Sequence, residues 1–394
     1  MKARLHDTML NLAAHPIGWP LARLARRAGG VMNVPGFGLV VSDAAFAHDV
    51  LVRDGDFIKN APHSISATIT ELLGPFALAN MDGDAHRTLR GKLADVLSPA
   101  QARALLSACD APLAELRGAL AAGETVDLVR SMRIMSGRLT FDMLGVAPPP
   151  GREDEACVEL VALGERIASG FDFRTPSPRR MADARTQVDQ LVAYARTGYD
   201  SPDAPVTSFV RRLRELGLSF EEAKGVLSIV FLAGTLTTAA ALPRIVALLA
   251  DSGQLGRLSG HPEDIPAAIA EGLRFTTPVP ATMRVAQKDV DVCGHRVAAG
   301  TRVVILTCNL ARDARLFPDP DRFDAARVSD SRARHLWFGA GPHFCLGFVV
   351  AQLQLRQVIE ALISVPGALR VVRRSVARGV IVPAYSRLEV RLHG

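Results

Sequence analysis

The chain has 394 residues, 48% of them hydrophobic, and a formal charge of +6, enough for a large core with a basic surface. Its five cysteines (Cys109, Cys157, Cys293, Cys308, Cys345) form no CxxC or Cys/His cluster, which argues against zinc and against a disulfide framework and points to a reducing compartment. Only five of the 46 basic residues are lysine and aromatics make up 5%, with no basic run interleaved with rings, so a nucleic-acid groove is not expected.

Met1 to Arg27 mixes charges with apolar residues and lacks the unbroken apolar core of a signal peptide. Residues 31–53 read as a β-hairpin running into a helix, with Pro35-Gly36 as the turn. Gly36-Phe37-Gly38 lacks the third glycine of a dinucleotide fingerprint and is read as turn chemistry. From Asp84 to Ala250 the pattern is mostly helical, broken at Pro148–Gly151, at the irregular segment Gly170–Arg180 and at Asp200–Pro205. Ser219 and Glu222 make a capping box that opens a long central helix, for which Asp251, Ser252 and Gly253 are stop signals. Pro243 has no N–H to give, so a kink or an early end is expected there. Gly225 to Leu242 carries no charge for 18 residues, the length of a membrane span, yet its glycines, serine and threonines and the Pro243-Arg244 that follow fit a buried helix better. A soluble, cytoplasmic protein without a membrane partner is therefore expected. A helix near Ile265–Arg274 leads to strand-like segments at Thr282–Val297 and Thr301–Leu306. Residues 312–337 form a turn-rich connection of a length that usually serves function. With no repeat or linker, residues 1–394 read as one unit: many helices and a smaller β region.

Four constellations carry chemistry. Phe338 to Gly347 reads Phe-Gly-Ala-Gly-Pro-His-Phe-Cys-Leu-Gly, and a helix-compatible run follows to about Leu362. Its glycines let the backbone fold tightly, presenting Cys345 at a helix start, where free N–H groups favour a thiolate. A buried structural cysteine is the plain alternative, and this spacing disfavours it. Glu271 and Arg274 share a helix face, and Pro278-Val279, Arg284, Asn309-x-x-Arg312-Asp313 and Phe317-Pro318-Asp319-Pro320-Asp321-Arg322-Phe323 follow in order. His86 and Arg90, four apart, project from one face of a helix. In Ala233-Gly234-Thr235-Leu236-Thr237-Thr238, Gly234 loosens the helix and the Thr237 hydroxyl can bond the Ala233 carbonyl, opening a groove.

The Phe-x-x-Gly-x-x-x-Cys-x-Gly loop resembles the heme-binding loop of the cytochrome P-450 monooxygenases, and the other constellations are similar to that family's in order and spacing. The resemblance implies a mainly α fold with a smaller β region, heme b lying between the central helix and the helix after the cysteine loop. It implies Cys345 as the axial iron ligand, with Phe338 packed beside the sulfur and Gly347 in the loop. His86, Arg90, Arg284, His335 and His343 would meet the heme propionates through charge-assisted hydrogen bonds. Glu271 and Arg274 would complete an ion-pair triad with Arg322, or alternatively Arg327. Ala233, Gly234, Thr237 and Thr238 would form the oxygen-activating groove. Leu236 departs from the family pattern, which places an acid there. A substrate group, ordered water, or a peroxide-driven or redox-neutral reaction would have to replace that relay, and a non-catalytic heme-binding partner protein is a further alternative. The expected substrate is small and mainly apolar, oxidised with O2 in a pocket drawing on Ile65, Phe76, Phe171, Phe173, Leu232, Leu236, Val279, Met283 and Val382. With no flavin or nicotinamide segment read in the chain, electrons are expected from a ferredoxin and its ferredoxin reductase, docking near Arg87, Lys92, Arg332 and Arg334. A role in secondary metabolism fits that picture.

Overall fold

A computed structural model describes residues 2–62, 64–170, 177–327 and 335–393, and it is helical over most of the chain. The expected hairpin forms from β1 (Val31–Val34) and β2 (Gly38–Val41), and it grows by non-local partners into a mixed sheet. The other strands are β3 (Phe57–Ile58), β4 (Val126–Asp127), β5 (Thr282–Ala286), β6 (Val290–Val292), β7 (His295–Val297), β8 (Arg302–Ile305), β9 (Ala368–Val376) and β10 (Tyr385–His393). They pair as β1-β2-β8-β5-β3, β4-β10-β9 and β6-β7; among the described residues only β2 and β8 run parallel. Gly38 is required there: its φ is +118°, and a Cβ would stand 2.2 Å from the Arg302 carbonyl oxygen.

The axis of the molecule is the central helix, Phe220–Asp251. Its capping box forms, with Ser219 N donating to Glu222 Oε2 at 2.8 Å, and the helix stops at Asp251 before Gly253 turns left-handed. Of the kink or early end expected at Pro243, the early end is not observed: the helix runs on for eight residues, because Ile245, Val246, Ala247 and Leu249 are buried beyond the proline and their packing outweighs one missing hydrogen bond. This helix is long and apolar enough to cross a membrane, and most of its apolar stretch is buried inside the protein. Small residues bring its neighbours close. Gly164 lets the helix Glu153–Ser169 meet Phe231 and Leu232, and Gly272 lets the helix Ile265–Thr276 meet Ile245.

The triad of the Ile265–Thr276 helix forms with one change of partner. Glu271 and Arg274 are fully buried; the Glu271 carboxylate accepts from Arg274 Nε at 2.6 Å, Arg274 Nη2 at 2.8 Å and the Asp324 amide at 2.9 Å. The third charge is Arg327, whose Nε lies 3.2 Å from Glu271 Oε2. Arg322, the first expectation, is the wrong arginine: its side chain is 70% exposed and faces Asp324, and only its backbone carbonyl accepts from Arg274 and Arg327. The turn-rich connection passes over the buried pair with the Arg322 carbonyl inward, which throws that side chain into solvent.

Candidate active site

The loop expected to present Cys345 folds as two short 3-10 turns, Leu336–Phe338 and Gly341–His343, before the helix Phe348–Ile363. Gly339 and Gly341 take positive φ, and a Cβ on Gly341 would stand 2.6 Å from the Leu51 carbonyl oxygen. The Cys345 amide donates to the Phe338 carbonyl at 3.0 Å, which closes the loop on itself. Phe338, Phe344 and Phe348 pack around the loop, with Phe348 5.0 Å from Phe338 and 5.4 Å from Phe344 between ring centres. Burial pushes the Cys345 thiol up, against the opposing pull of the Gly347 amide and of Arg90. The helix start and Arg90 therefore only partly offset burial at this sulfur.

Cys345 opens onto a cavity of about 340 Å³, and across it stand Ala233, Gly234, Thr237 and Thr238 of the central helix. The groove forms by the expected bond: Thr237 Oγ1 donates to the Ala233 carbonyl at 2.6 Å, and Thr238 Oγ1 to the Gly234 carbonyl at 2.7 Å. No atom comes within 4 Å of a Cβ built on Gly234, so the groove is open there. Leu236 is not on the cavity wall; it packs against the main hydrophobic core. Thr235, its neighbour, faces the helix Leu128–Leu144, where its hydroxyl lies 3.3 Å from Thr140 Oγ1.

One side of the cavity is cationic. His86 and Arg90 reach it from the helix Gly83–Lys92, Arg284 from β5, His343 from the cysteine loop and Lys59 from the segment after β3. No aspartate or glutamate lines the cavity among the described residues. The His86 and His343 rings stack 4.2 Å apart, and neither nitrogen of His86 has a hydrogen-bond partner although the residue is 1% exposed. Trp337 Nε1 is buried and unpartnered as well. Burial, with neighbouring cations adding to it, lowers the His86 imidazole to about 4 and the Lys59 ammonium to about 7, and burial lowers Arg284 to about 10. Such a cluster, with no carboxylate on the cavity wall among the described residues, calls for buried negative charge. A flat apolar group with two carboxylates and a metal for the sulfur fits these residues, and heme is that group.

The remaining expectations divide. His335 is not on the cavity wall: its positive φ turns the ring into edge contact with Phe348, 5.0 Å away, and with Trp337. Of the pocket residues expected, Val279 lines the cavity. Ile65, Phe76, Leu232, Leu236, Met283 and Val382 do not. Leu232 faces Gly164 in the core and Phe76 packs on Gly225, because helix periodicity cannot say which neighbour a given face will meet. Phe171, Phe173, Arg332 and Arg334 lie outside the described residues. Arg87 and Lys92 are exposed, with Arg87 tied to Asp54 and Asp84. Sequence reasoning missed Lys59, for which there was no local signal beyond its being one of five lysines. It also missed Asp82, which accepts from the Lys59 and Asn60 amides at 2.9 Å and so pins that segment beside His343.

Comparisons with known proteins agree with this geometry. The family profile described as Cytochrome P450 matches residues 265–365. The biotin biosynthesis cytochrome P450 of Bacillus subtilis is 32% identical over 219 residues, 54% of each chain. The 20-oxo-5-O-mycaminosyltylactone 23-monooxygenase of Streptomyces fradiae is 28% identical over 75% of this chain and 68% of its own. Among solved structures, the open cytochrome P450 EryK of S. erythraea superposes with a TM-score of 0.76 at 26% identity, covering 95% of both chains. The matched stretch spans about half the length of the first of these relatives.

Proposed function

Because the chain belongs to the cytochrome P450 monooxygenase family, we propose that it oxidises a small, mainly apolar molecule with dioxygen on a heme whose iron is held by Cys345. The observation that carries this reading is the cavity itself, with the half-buried Cys345 on one wall, a cationic cluster at one side and a glycine–threonine groove opposite. Heme bound there would supply the metal centre that binds and activates dioxygen. The chain's own residues do the rest. His86, Arg90, Arg284, His343 and Lys59 bind the two carboxylates and fix the orientation of the ring. Phe338 keeps water from the sulfur, and the Gly347 amide stabilises its negative charge. Thr237 and Thr238 give their hydroxyl protons to backbone carbonyls and so turn oxygen lone pairs towards the groove, holding a hydrogen-bond donor there. Leu78, Ile229, Val230, Val279 and Leu310 line the cavity and favour an apolar substrate.

Electrons come, in this reading, from a ferredoxin and its reductase, to which Lys92 presents positive charge on the exposed face of the Gly83–Lys92 helix, whereas Arg87 is already paired with Asp54 and Asp84. A peroxide-driven or redox-neutral reaction in the same cavity is the second reading. One observation favours it: among the described residues no carboxylate lines the cavity, so the usual side-chain acid is missing from the wall. Turnover with ferredoxin and reductase present, withheld, or replaced by hydrogen peroxide separates the two. The heme assignment is tested by the carbon monoxide difference spectrum of the reduced protein. Cys345→Ala should abolish the thiolate-type band, and retention of that band would overturn the assignment.

A further inference from the structure

The chain's positive charge and its exposed apolar side chains are concentrated on one face. Residues 1–42 and 361–388 hold ten of the 46 basic residues but a single acid, Asp7, which leaves a net charge of −3 on all the rest. Asp7 is 4% exposed and is already bound by Arg244 at 2.8 Å and Arg312 at 2.9 Å, so it offers nothing to the surface. Nine of the fourteen large hydrophobic residues exposed among the described residues also fall in these segments. Leu5, Met9 and Leu12 form an outward stripe on the helix Lys2–Ala14, and Ile17, Leu21 and Leu24, the last 61% exposed, repeat the spacing at the helix Gly18–Ala28. Phe37 between β1 and β2, Val372 on β9 and Ile381 in the following loop complete the set.

The segments are neighbours. The first helix is held against β9 by Arg374 Nη1 to His6 Nδ1 at 2.9 Å. The loop after β9 is tied to it by the Gly379 amide to the Ala13 carbonyl at 3.1 Å, and by His15 Nε2 to the Ile381 carbonyl at 3.0 Å. Arg23, Arg27, Arg370 and Arg373 stand on these elements without an ion-pair partner among the described residues. The cavity lined by His6, Leu10 and Tyr385 under the patch holds about 10 Å³, too little to receive a side chain from a rigid protein partner.

We propose that this face rests on an anionic lipid surface. Asp321, Asp251 and Glu389 neutralise Arg26, Arg374 and Arg387 at its edges, and the protruding leucines flanked by the remaining arginines suit a soft, negatively charged, apolar phase. The contact is peripheral and leaves the central helix in the core. The inference does not depend on heme, so its failure and that of the proposed activity are separable.

Cosedimentation of the full chain with vesicles of phosphatidylcholine, with and without phosphatidylglycerol, tests it. The chain should bind the mixed vesicles, bind phosphatidylcholine alone far more weakly, and detach as salt is raised. Arg23→Ala with Arg27→Ala should weaken binding roughly fivefold per arginine lost. Leu21→Ser with Leu24→Ser should abolish it, with the circular dichroism spectrum unchanged because both side chains are exposed. Absence of binding to the mixed vesicles, or equal binding to both kinds, would overturn the proposal. A dimer that the two serine substitutions dissolve would also overturn it, since the face would then be a contact between copies of the chain.

Discussion

Replacing Arg327 and Arg322 one at a time separates a buried charge from a surface one five residues away. Arg327 is 10% exposed, with Nε 3.2 Å from a Glu271 carboxylate that is itself fully buried, and its Nη groups bond the Pro318, Asp319 and Arg322 carbonyls. At an effective dielectric constant of about 20, the attraction across that distance is roughly 5 kcal/mol before desolvation is subtracted. Removing one partner of such a pair typically costs about 3–5 kcal/mol. Glu271 retains Arg274 and the Asp324 amide, so Arg327→Ala should cost about 2–3 kcal/mol. Arg322→Ala removes an exposed side chain 3.8 Å from Asp324, and the carbonyl that Arg274 uses survives the substitution. Its cost should stay within about 0.5 kcal/mol. Urea unfolding followed by circular dichroism, with Glu271→Gln added to close a double-mutant cycle, reads these differences. Equal losses for the two alanine variants, or no coupling between positions 271 and 327, would refute the reasoning.

Three further outcomes are expected. Gly137→Ala would place a Cβ 2.4 Å from the Cys157 Cβ between two packed helices, and should cost about 1–3 kcal/mol or more in thermal or urea unfolding. Burial raises the Asp321 carboxyl, but Arg26 at 2.9 Å and Arg312 at 3.0 Å outweigh it and hold the group well below the usual carboxylate range. A depressed folded-state pKa adds stability that is present above the unfolded value and lost as pH falls through the folded one. Asp321→Asn should thus be destabilised relative to wild type near neutral pH, and the gap measured by unfolding should narrow only in acid; a gap independent of pH would contradict this. Leu236→Glu buries a charge against the core rather than adding an acid to the cavity wall. It should lower the unfolding midpoint while leaving product formed per reducing equivalent unchanged, and a rise in that ratio would show that the side chain does reach the groove.

Local signals in the chain were sufficient for much of this architecture. The capping box at Ser219, the glycines around Cys345 and the i, i+3 pairing of Glu271 with Arg274 act over a few residues. Their geometry follows from backbone sterics and helix periodicity wherever the segment ends up. The same is true of Thr237, whose hydroxyl bonds a carbonyl one turn away on its own helix. Tertiary structure decided everything that depends on two distant segments meeting. It selected Arg327 over Arg322, carried the central helix past Pro243, turned His335 towards Phe348, and brought Lys59 beside Arg284. It also set Leu236 into the core and left Val279 on the cavity wall. Periodicity states that a face is apolar but not what it will pack against, and a charge shows its value only when burial and its neighbours across the fold are known.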